Sequence, residues 1–418
     1  MTSPFRRSVT EHQSVIKNLV DHALSEPQSE KVELGQSRGR ILSAEVKAPR
    51  ALPPWDNSQM DGYAIHTADL GTGTFTVAPS IAAGEQAPTL GRGYAAPIMT
   101  GAPIPEGANA VIPIEAAIPD AFPTATQIAN GITVTLPAQA QPGAYIRTRG
   151  SDIAEGATVL ASGTRLGPTS LGILAGLGIN EVTVAQRPAI LLLSTGDELV
   201  APGKEPKPGQ IHDANTTLLG TALEAAGCHV TNVGVLDDSP EHFTASLTNA
   251  LTAGERRYDL VISSGGISKG AFDVVKEVLA SHGITFGSVA MQPGGPQGSG
   301  TLALPGCNPV AFIAFPGNPV SAYVSYEIFL RPALAERLGL APRPLVEAVL
   351  SEPMESMPGK LQVRRGTHQD GIFTPLGGAS SHLLAALAAS NSLILIDEDT
   401  TSLSAGQKVQ TLVIGDGS

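Results

Sequence analysis

The chain has 418 residues, of which 26 are Lys or Arg and 38 are Asp or Glu, so its formal net charge is −12. This acidic balance argues against a general nucleic-acid binder, which needs a basic face for phosphates. No apolar run approaches the roughly 20 residues that span a bilayer. Two cysteines, Cys228 and Cys307, cannot staple a chain of this length. With no apolar signal segment after Arg6 and Arg7, we expect a cytoplasmic protein of roughly two to four domains, without membrane insertion.

The first part of the chain predicts one helix followed by β structure. Residues 9–24 place apolar side chains on one helical face. Residues 49–145 are rich in Pro and Gly and contain short runs such as TFTVA and TVTLP, a pattern typical of an all-β insertion with many turns. Residues 146–179 predict a connecting β segment and a short helix.

From Arg187 onward the pattern alternates between strands and helices. Strands are predicted at 188–194, 229–236, 258–263 and 310–315, and helices at about 215–227, 239–253, 271–282 and 319–337. Ser239 gives the second of these helices an N-cap. Repeated βα units favour a parallel sheet with helices on both faces. The Pro-rich segment 341–345 is typical of a linker, and residues 346–418 predict a small β-rich domain with a helix near 381–389.

Three of the predicted strands end in loops rich in Gly and Pro. These are STGDEL at 194–199, SSGGIS at 263–268 and PGNPVS at 316–321. Ligands of open parallel α/β sheets bind outside the carboxyl ends of the strands, where glycines let backbone N–H groups approach an anion. A single such loop is a weak signal, because Gly and Pro are also common in tight turns. Three at one edge of a sheet indicate a phosphate-bearing ligand.

Acidic residues gather around the same loops. They are Asp197, Glu198, Asp213, Asp237, Asp238 and Asp273. Carboxylates beside a phosphate site commonly hold Mg²⁺, which prefers oxygen ligands. The alternatives are solvated acids or, for Asp237 and Asp238, helix N-caps. For Asp213 and Asp237 the pattern favours neither a functional nor a structural role. In the β-rich insertion, Asp61-Gly62 and Thr100-Gly101 are by themselves only turn signals.

Segments spread over most of the chain resemble the molybdopterin molybdenumtransferase family, called MoeA in bacteria and represented by the gephyrin E domain in animals. They include NSQMDGYAI, IMTGAPIPEGANAVIPIE, LLLSTGDELVAPG, DLVISSGGISKGAFDVVKEVL and FPGNPVSAYVSYEIFLRPAL. The resemblance implies a multidomain α/β plus β fold. Its expected domains are a MogA-like, parallel-sheet α/β domain (1–26 and 180–336), an elongated β-rich domain (27–48 and 146–179), an inserted β-rich domain (49–145) and a C-terminal small β-barrel-like domain (341–418).

The resemblance also implies a reaction, the last general step of molybdenum cofactor synthesis. Adenylated molybdopterin and molybdate would be the substrates, and the pyrophosphate bond would be hydrolysed in a Mg²⁺-dependent step that releases AMP. Molybdenum would then be held by the dithiolene sulfurs. The family further implies a homodimer in which the insertion of one subunit covers the α/β domain of the other. The expected ligands are therefore small-molecule anions.

Site residues follow from the resemblance, position by position. The implied catalytic residues are Asp61, Thr100, Glu198, Asp238 and Asp273. The implied Mg²⁺ ligands are Asp197, Glu198 and Asp273. The implied ligand-binding residues are Thr195, Gly196, Ser264, Gly265, Gly266, Ser268, Lys276, Pro296, Gly317, Asn318, Pro319, Ser321 and Arg364. Arg365 is an alternative to Arg364, since either guanidinium fork suits an oxyanion, and a solvated strand residue is the alternative for both.

The chain departs from the family pattern at the pocket that the resemblance implies for molybdate. Many members carry Lys-Pro-Gly-Lys-Pro where this chain has QPGGP at 292–296, so two lysines suited to an oxyanion are absent. A serine often found in the last helix is replaced by Ala388 or Ala389. Gln292 still provides a hydrogen-bond donor, but the positive charge is missing. These changes predict weaker molybdate binding with the pyrophosphate-handling residues retained.

Two other functions are compatible with the sequence. The first is a gephyrin-like dimeric scaffold with weakened catalysis, which would bind a peptide of a cytoskeletal, cell-division or membrane partner in the groove between the α/β and C-terminal domains. The retained TGDEL, SGG and DGYA segments argue against it, because a pure scaffold would not need them. The second is a molybdopterin adenylyltransferase, which shares the SGG-containing α/β domain but needs neither the insertion nor the C-terminal domain.

Overall fold

The computed structural model describes residues 5–26, 28–236, 239–253, 257–267 and 274–415. The chain divides into a smaller unit, Glu30–Val184, and a larger unit made of Met1–Ser29 and Ala185–Ser418. In the described part of the chain no helix is both long and apolar enough to cross a membrane. The boundaries of the four domains expected from the sequence stay predictions.

The helices, in chain order, are α1 (Val9–Ala23), α2 (Ala125–Ala129), α3 (Pro168–Gly176), α4 (Asn215–Ala225), α5 (Pro240–Thr252), α6 (Val274–Leu279), α7 (Pro319–Ser325), α8 (Arg331–Leu338) and α9 (Leu384–Ala388). A π-helical turn, Tyr326–Leu330, joins α7 to α8. The predicted N-cap of α5 is confirmed, since the Ser239 hydroxyl accepts a hydrogen bond from the backbone N–H of His242. The first predicted helix is confirmed as α1.

The strands are short in the first half of the chain and longer in the second. They are β1 (Phe5–Arg7), β2 (Ser29–Glu33), β3 (Val46–Lys47), β4 (Asn57–Ser58), β5 (Gly62–Ile65), β6 (Thr74–Val77), β7 (Tyr94–Ile98), β8 (Ala110–Pro113), β9 (Thr133–Thr135), β10 (Ile146–Arg147), β11 (Thr158–Leu160), β12 (Glu181–Ala185), β13 (Ala189–Thr195), β14 (Leu199–Val200), β15 (Ile211–His212), β16 (His229–Leu236), β17 (Leu260–Ser264), β18 (Ile284–Val289), β19 (Met291–Gln292), β20 (Pro296–Leu302), β21 (Val310–Phe315), β22 (Leu345–Leu350), β23 (Met354–Glu355), β24 (Leu361–Gln369), β25 (Ile372–Pro375), β26 (Ser392–Ile396), β27 (Ser402–Leu403) and β28 (Lys408–Val413).

The larger unit is built on a seven-stranded sheet in the order β1-β18-β20-β21-β17-β13-β16. Four of its strands, β13, β16, β17 and β21, pair in parallel, as the βα pattern predicted. Strand β20 is the exception, because it runs antiparallel to both β18 and β21. The chain reaches β20 from β18 through a few residues only, and so short a connection joins antiparallel strands. No helical pattern marked this pair in the sequence.

Strand β13 shows why this sheet is covered by helices on both faces. All of its residues are buried. Ile190 and Leu192 pack in the core that includes α1, α4 and α7, whereas Leu191 and Leu193 pack in the core that includes α5 and α6. Side chains alternate between the faces of a strand, so one continuous apolar run supplies both cores. Each such side chain contributes about 1.5–3 kcal/mol by burial.

The C-terminal part of the larger unit is a closed small barrel, as expected. Strands β24, β25, β22, β28 and β26 follow one another, and a further pairing of β24 with β26 closes the ring. Phe373, Ile394 and Leu350 lie in its core. Strand β19 of the α/β part pairs in parallel with β24 and thereby connects the two sheets of this unit.

The smaller unit is mainly β structure. Strands β8, β5, β7, β6 and β9 form a five-stranded sheet. Tyr63, Ile65 and Phe75 lie in the apolar core on one of its faces. Short two-stranded ladders such as β10 with β4 and β11 with β3 complete this unit. The many turns expected from its Pro and Gly content separate these short strands.

Candidate functional site

The three Gly- and Pro-rich loops converge in the larger unit, at the carboxyl ends of β13, β17 and β21. They line a cleft of about 660 Å³, called the loop cleft below. The residues predicted as functional that line it are Thr195, Gly196, Glu198, Ser264, Gly265, Gly266, Pro296, Gly317, Asn318, Pro319 and Ser321. The topology brings them together because parallel neighbouring strands all end at the same edge.

Gly265 and Gly266 allow two of these loops to touch. Both have positive φ, at +96° and +65°. A Cβ on Gly265 would lie 2.5 Å from the backbone oxygen of Thr195, and one on Gly266 would lie 2.7 Å from the Thr195 Oγ1. Any larger residue would therefore clash as well as strain the backbone. The close approach makes the SGG loop and the end of β13 one rigid surface.

Asn215, the first residue of α4, joins the loops that follow β17 and β21. It was not among the predicted site residues. Its Nδ2 donates to the Ser264 Oγ and to the backbone oxygen of Gly317, each at 2.6 Å. The side chain is buried and lines the loop cleft. One amide thus joins loops that follow two different strands. Its place at a helix start was visible in the sequence, but its partners are distant in the chain.

Asp213 has a structural role that accounts for its burial. Its carboxylate accepts hydrogen bonds from the backbone N–H groups of Asn215 (2.9 Å) and Thr216 (3.3 Å). The hydroxyls of Thr216 (2.6 Å) and Ser194 (3.2 Å) also donate to it. A carboxylate is stabilised at a helix N-terminus in this way. The sequence left Asp213 open between a Mg²⁺ ligand and a solvated acid; the carboxylate is instead buried and bonded to the start of α4, where it also orients Asn215.

The C-terminal barrel supplies another wall of the loop cleft, formed by Ala379, Ser380 and Ser381. Arg365 supports this segment, because its Nη2 donates to the backbone oxygen of Gly378 at 3.1 Å. Arg365 is only 2% exposed, and burial lowers the pKa of its guanidinium, which nonetheless stays protonated at neutral pH. Its positive charge therefore lies next to the segment that forms this wall.

Arg364 lies on the other side of β24. Successive residues of a strand point to opposite faces, and the Arg364 Nη1 donates to the backbone oxygen of Glu355 at 3.4 Å. It is not among the described residues that line the loop cleft. Of the two arginines weighed from the sequence, the structure brings Arg365 to the cleft wall.

The acidic pair after β13 stands at the edge of the loop cleft. Glu198 lines it, whereas Asp197 lines a cavity of about 410 Å³ that shares Gly196 and Leu199 with it. Both acids are exposed. No Lys or Arg occurs among the described residues that line the loop cleft. Backbone N–H groups, hydroxyls and amides are therefore the hydrogen-bond donors available among these lining residues.

The remaining predicted residues lie elsewhere. Lys276 is exposed on α6, where its backbone N–H donates to the Gly266 oxygen at 3.2 Å. Its side chain is not among those that line the loop cleft. Ser268, Asp238 and Asp273, together with Asp237, lie outside the described residues.

Asp61 and Thr100 belong to the smaller unit and are hydrogen-bonded to each other. The backbone N–H and the hydroxyl of Thr100 donate to the Asp61 Oδ1 at 2.6 Å and 2.7 Å. These bonds hold the pKa of the exposed Asp61 carboxyl below its ordinary value. The pair therefore presents an ionised, fixed carboxylate to solvent.

Comparisons with known proteins identify the family. Three family models cover most of the chain: the MoeA N-terminal region (domain I and II) matches residues 7–178, a probable molybdopterin binding domain matches 191–336, and the MoeA C-terminal region (domain IV) matches 347–414. Molybdopterin molybdenumtransferase 2 of Mycobacterium tuberculosis is 40% identical over 97% of this chain and 98% of its own length. The chain belongs to the molybdopterin molybdenumtransferase (MoeA) family.

Further relatives agree with this assignment. The molybdopterin molybdenumtransferase of Haemophilus influenzae is 35% identical over 91% of this chain and 93% of its own length. A crystal structure of the molybdopterin biosynthesis MoeA protein from Pyrococcus horikoshii superposes with a TM-score of 0.76 at 28% identity, over 96% of this chain and 98% of that one. As a member of this family, the chain is a transferase of molybdenum cofactor biosynthesis.

Proposed function

We propose that the chain transfers molybdenum from molybdate to adenylated molybdopterin and releases AMP in a Mg²⁺-dependent step. The observation that carries this proposal is the loop cleft, where three phosphate-type loops meet in a chain that is 40% identical to a molybdopterin molybdenumtransferase. Water would add across the pyrophosphate bond, leaving one phosphate on AMP and the other on molybdopterin.

The chain's own residues would bind and orient the anionic substrate. At the Gly265–Gly266 turn the Gly265 N–H already donates to the Phe315 oxygen at 3.1 Å, so the Gly266 N–H is the backbone donor that would bind the substrate there. The Ser321 hydroxyl and the Ser380–Ser381 segment offer further donors on two other walls. Arg365 adds a positive charge next to the barrel wall without lining the cleft. Because these groups are held by Asn215 and Arg365, they need little rearrangement when the substrate binds.

The residues present fit a Mg²⁺ ion that arrives with the substrate. In the described part of the chain no three or more His, Cys, Asp or Glu side chains are grouped to hold a metal ion. Mg²⁺ is commonly bound through one or two carboxylates together with substrate phosphates, and Asp197 and Glu198 are two exposed carboxylates at the edge of the cleft. When bound, the ion would neutralise and polarise the pyrophosphate. Glu198 and Asp197 would hold it.

The test measures AMP release from adenylated molybdopterin with molybdate, with Mg²⁺ and then with excess EDTA. We expect EDTA to stop release, and Glu198→Gln to lower kcat by about tenfold or more, a barrier change of about 1.4 kcal/mol. Glu205→Gln, which neutralises an exposed acid nearby that does not line the cleft, is the matched control and should behave as the unsubstituted chain. Release that is indifferent to both EDTA and Glu198→Gln would refute the Mg²⁺-dependent step.

We further propose that the active form is a homodimer in which Asp61 and Thr100 of one copy complete the cleft of the other. The exposed, hydrogen-bonded Asp61–Thr100 pair supports this, because its carboxylate is oriented toward solvent with no partner in its own unit besides Thr100. Mixing Asp61→Ala with Glu198→Gln chains should restore activity that neither has alone. A mixture that stays inactive although the two variants co-assemble would contradict the shared cleft.

A further inference from the structure

One wall of the loop cleft is a short segment between two sheets. Residues 292–296, called the QPGGP wall below, run from the last residue of strand β19, which pairs with the C-terminal barrel, to the first residue of β20 in the seven-stranded sheet. Gln292, Pro293, Gly294 and Pro296 line the cleft. The Gln362 Nε2 donates to the Gln292 Oε1 at 3.4 Å from the barrel side. The middle of the segment belongs to neither sheet, so its position depends on other contacts.

Gln297, the residue that follows the wall, supplies these contacts from inside the core. Its side chain is 1% exposed. Its Nε2 donates to the backbone oxygen of Gly294 and to the Ser325 Oγ, each at 2.8 Å. Ser325 in turn donates to the backbone oxygen of Ser321 at 2.7 Å. Because Gly294 and Ser321 both line the cleft, one buried amide sets the spacing between the QPGGP wall and helix α7.

His12, on the N-terminal helix α1, is a buried neighbour of the Gln297 side chain. His12 is fully buried, and the Arg7 Nη1 lies 3.3 Å from its Nδ1. Burial and the neighbouring Arg7 lower the pKa of His12 to about 4, so the ring is neutral at pH 7. Arginine only donates, so Nδ1 accepts and the ring proton sits on Nε2. The His12 Nε2 and the Gln297 Oε1 are both buried without a hydrogen-bond partner among the described residues, so the two bonds of the Gln297 Nε2 are the ones that hold its amide.

We propose that Gln297 is a positioning residue that holds the QPGGP wall in the geometry that binds the oxyanion substrate, an inference that rests on the proposed function. This wall has no lysine, so it can bind an oxyanion only through the Gln292 amide and backbone N–H groups. Neutral hydrogen bonds are weaker than charge-assisted ones and depend on distance and angle. A wall of neutral donors therefore tolerates less displacement than a charged one, and a fixed scaffold behind it matters more.

The test replaces Gln297 by Met, which has a similar length but forms no comparable hydrogen bonds. We expect Gln297→Met to raise the KM for molybdate about tenfold or more, with the KM for adenylated molybdopterin and the kcat within about twofold of the unsubstituted chain. Ser299→Ala is the matched control: Ser299 lies two residues on in β20, is equally buried, and its Oγ has no partner among the described residues. It should leave both KM values unchanged. An unchanged molybdate KM in Gln297→Met would overturn the proposal.

A second measurement does not depend on turnover. The Val289 N–H donates to the Gly295 oxygen at 2.7 Å, so its hydrogen exchange reports whether the wall is in place. We expect faster exchange in peptides covering 288–297 of Gln297→Met, and unchanged exchange in Ser299→Ala. Ser325→Ala, which removes one end of the same network, should show the same local change and serves if Gln297→Met does not fold. Unchanged exchange in this segment would refute the positioning role of Gln297, whatever the activity of the chain. If the unsubstituted chain releases no AMP, that result would refute the proposed function but not the positioning role.

Discussion

Asn215 is the residue whose removal should damage the loop cleft most directly. Asn215→Ala deletes the two hydrogen bonds that join the loops after β17 and β21. Each bond contributes a net of about 0.5–1.5 kcal/mol. Ser264 keeps a bond to the Pro316 oxygen at 3.3 Å, and Gly317 is exposed, so water can replace the donor that its oxygen loses. We expect the free energy of unfolding to fall by about 2 kcal/mol.

The activity of Asn215→Ala should fall by more than this loss of stability explains. Loops that shift by about 1 Å no longer hold the substrate for reaction, so kcat/KM for adenylated molybdopterin should drop by about 10²-fold at a temperature where the variant is fully folded. Asn215→Asp should be worse, because it also adds negative charge to an anion-binding cleft. Thr221→Ala is the control, since this exposed hydroxyl bonds only to the backbone of its own helix. Urea unfolding together with steady-state AMP release decides the matter, and wild-type values of both in Asn215→Ala would refute the reasoning.

Three further predictions concern the same unit. Gly265→Ala places a Cβ 2.5 Å from a backbone oxygen and should raise the KM for adenylated molybdopterin about tenfold or more. The control Gly306→Ala also has a positive φ but meets no neighbouring atom, so it should lose only about 1–2 kcal/mol of stability and keep its KM. Equal KM values in the two variants would contradict this prediction. The pKa of His12 is about 4 in the folded protein, against an ordinary 6.5, so the unfolded state binds more protons between pH 6.5 and pH 4. The free energy of unfolding should therefore fall by up to about 3 kcal/mol as the pH drops through this range. His12→Gln should make this decline shallower in urea unfolding at a series of pH values. Glu327→Gln breaks the buried ion pair with Arg343 and should lower the free energy of unfolding by about 3 kcal/mol; a loss below about 1 kcal/mol in urea unfolding would mean that the pair behaves like an exposed one.

Much of the larger unit could be predicted because its elements are encoded locally. The run of apolar residues in β13 is long enough to mark a strand buried on both faces, and each Gly-rich loop follows such a strand directly. Once the strands are parallel, their loops must meet at one edge, so the convergence of Thr195, Gly265 and Ser321 followed from topology alone. The antiparallel strand β20 did not: the Gly294-Gly295 turn signal in front of it was interpreted only as part of the ligand pocket.

The residues that sequence reasoning missed act through partners that are distant in the chain. Asn215 bonds to Ser264 and Gly317, and Gln297 bonds to Ser325, so no local pattern distinguishes these amides from solvated ones. Arg364 and Arg365 are adjacent in β24 and therefore point to opposite faces of the strand. Both faces of β24 are partly buried, so the sequence pattern does not show which of the two guanidinium groups lies next to the cleft wall.

The most direct test of the central claim is a molybdate titration of AMP release, with the molybdenum bound to the product pterin measured in the same samples. We predict that molybdate stimulates release in the presence of Mg²⁺, and that each AMP released is matched by one molybdenum atom bound to product. We also predict that Arg365→Lys shifts the titration to higher molybdate, because lysine lacks the guanidinium fork that bonds to the Gly378 oxygen. Dimers that form normally but release no AMP at any molybdate concentration would contradict the transferase and favour the peptide-binding scaffold.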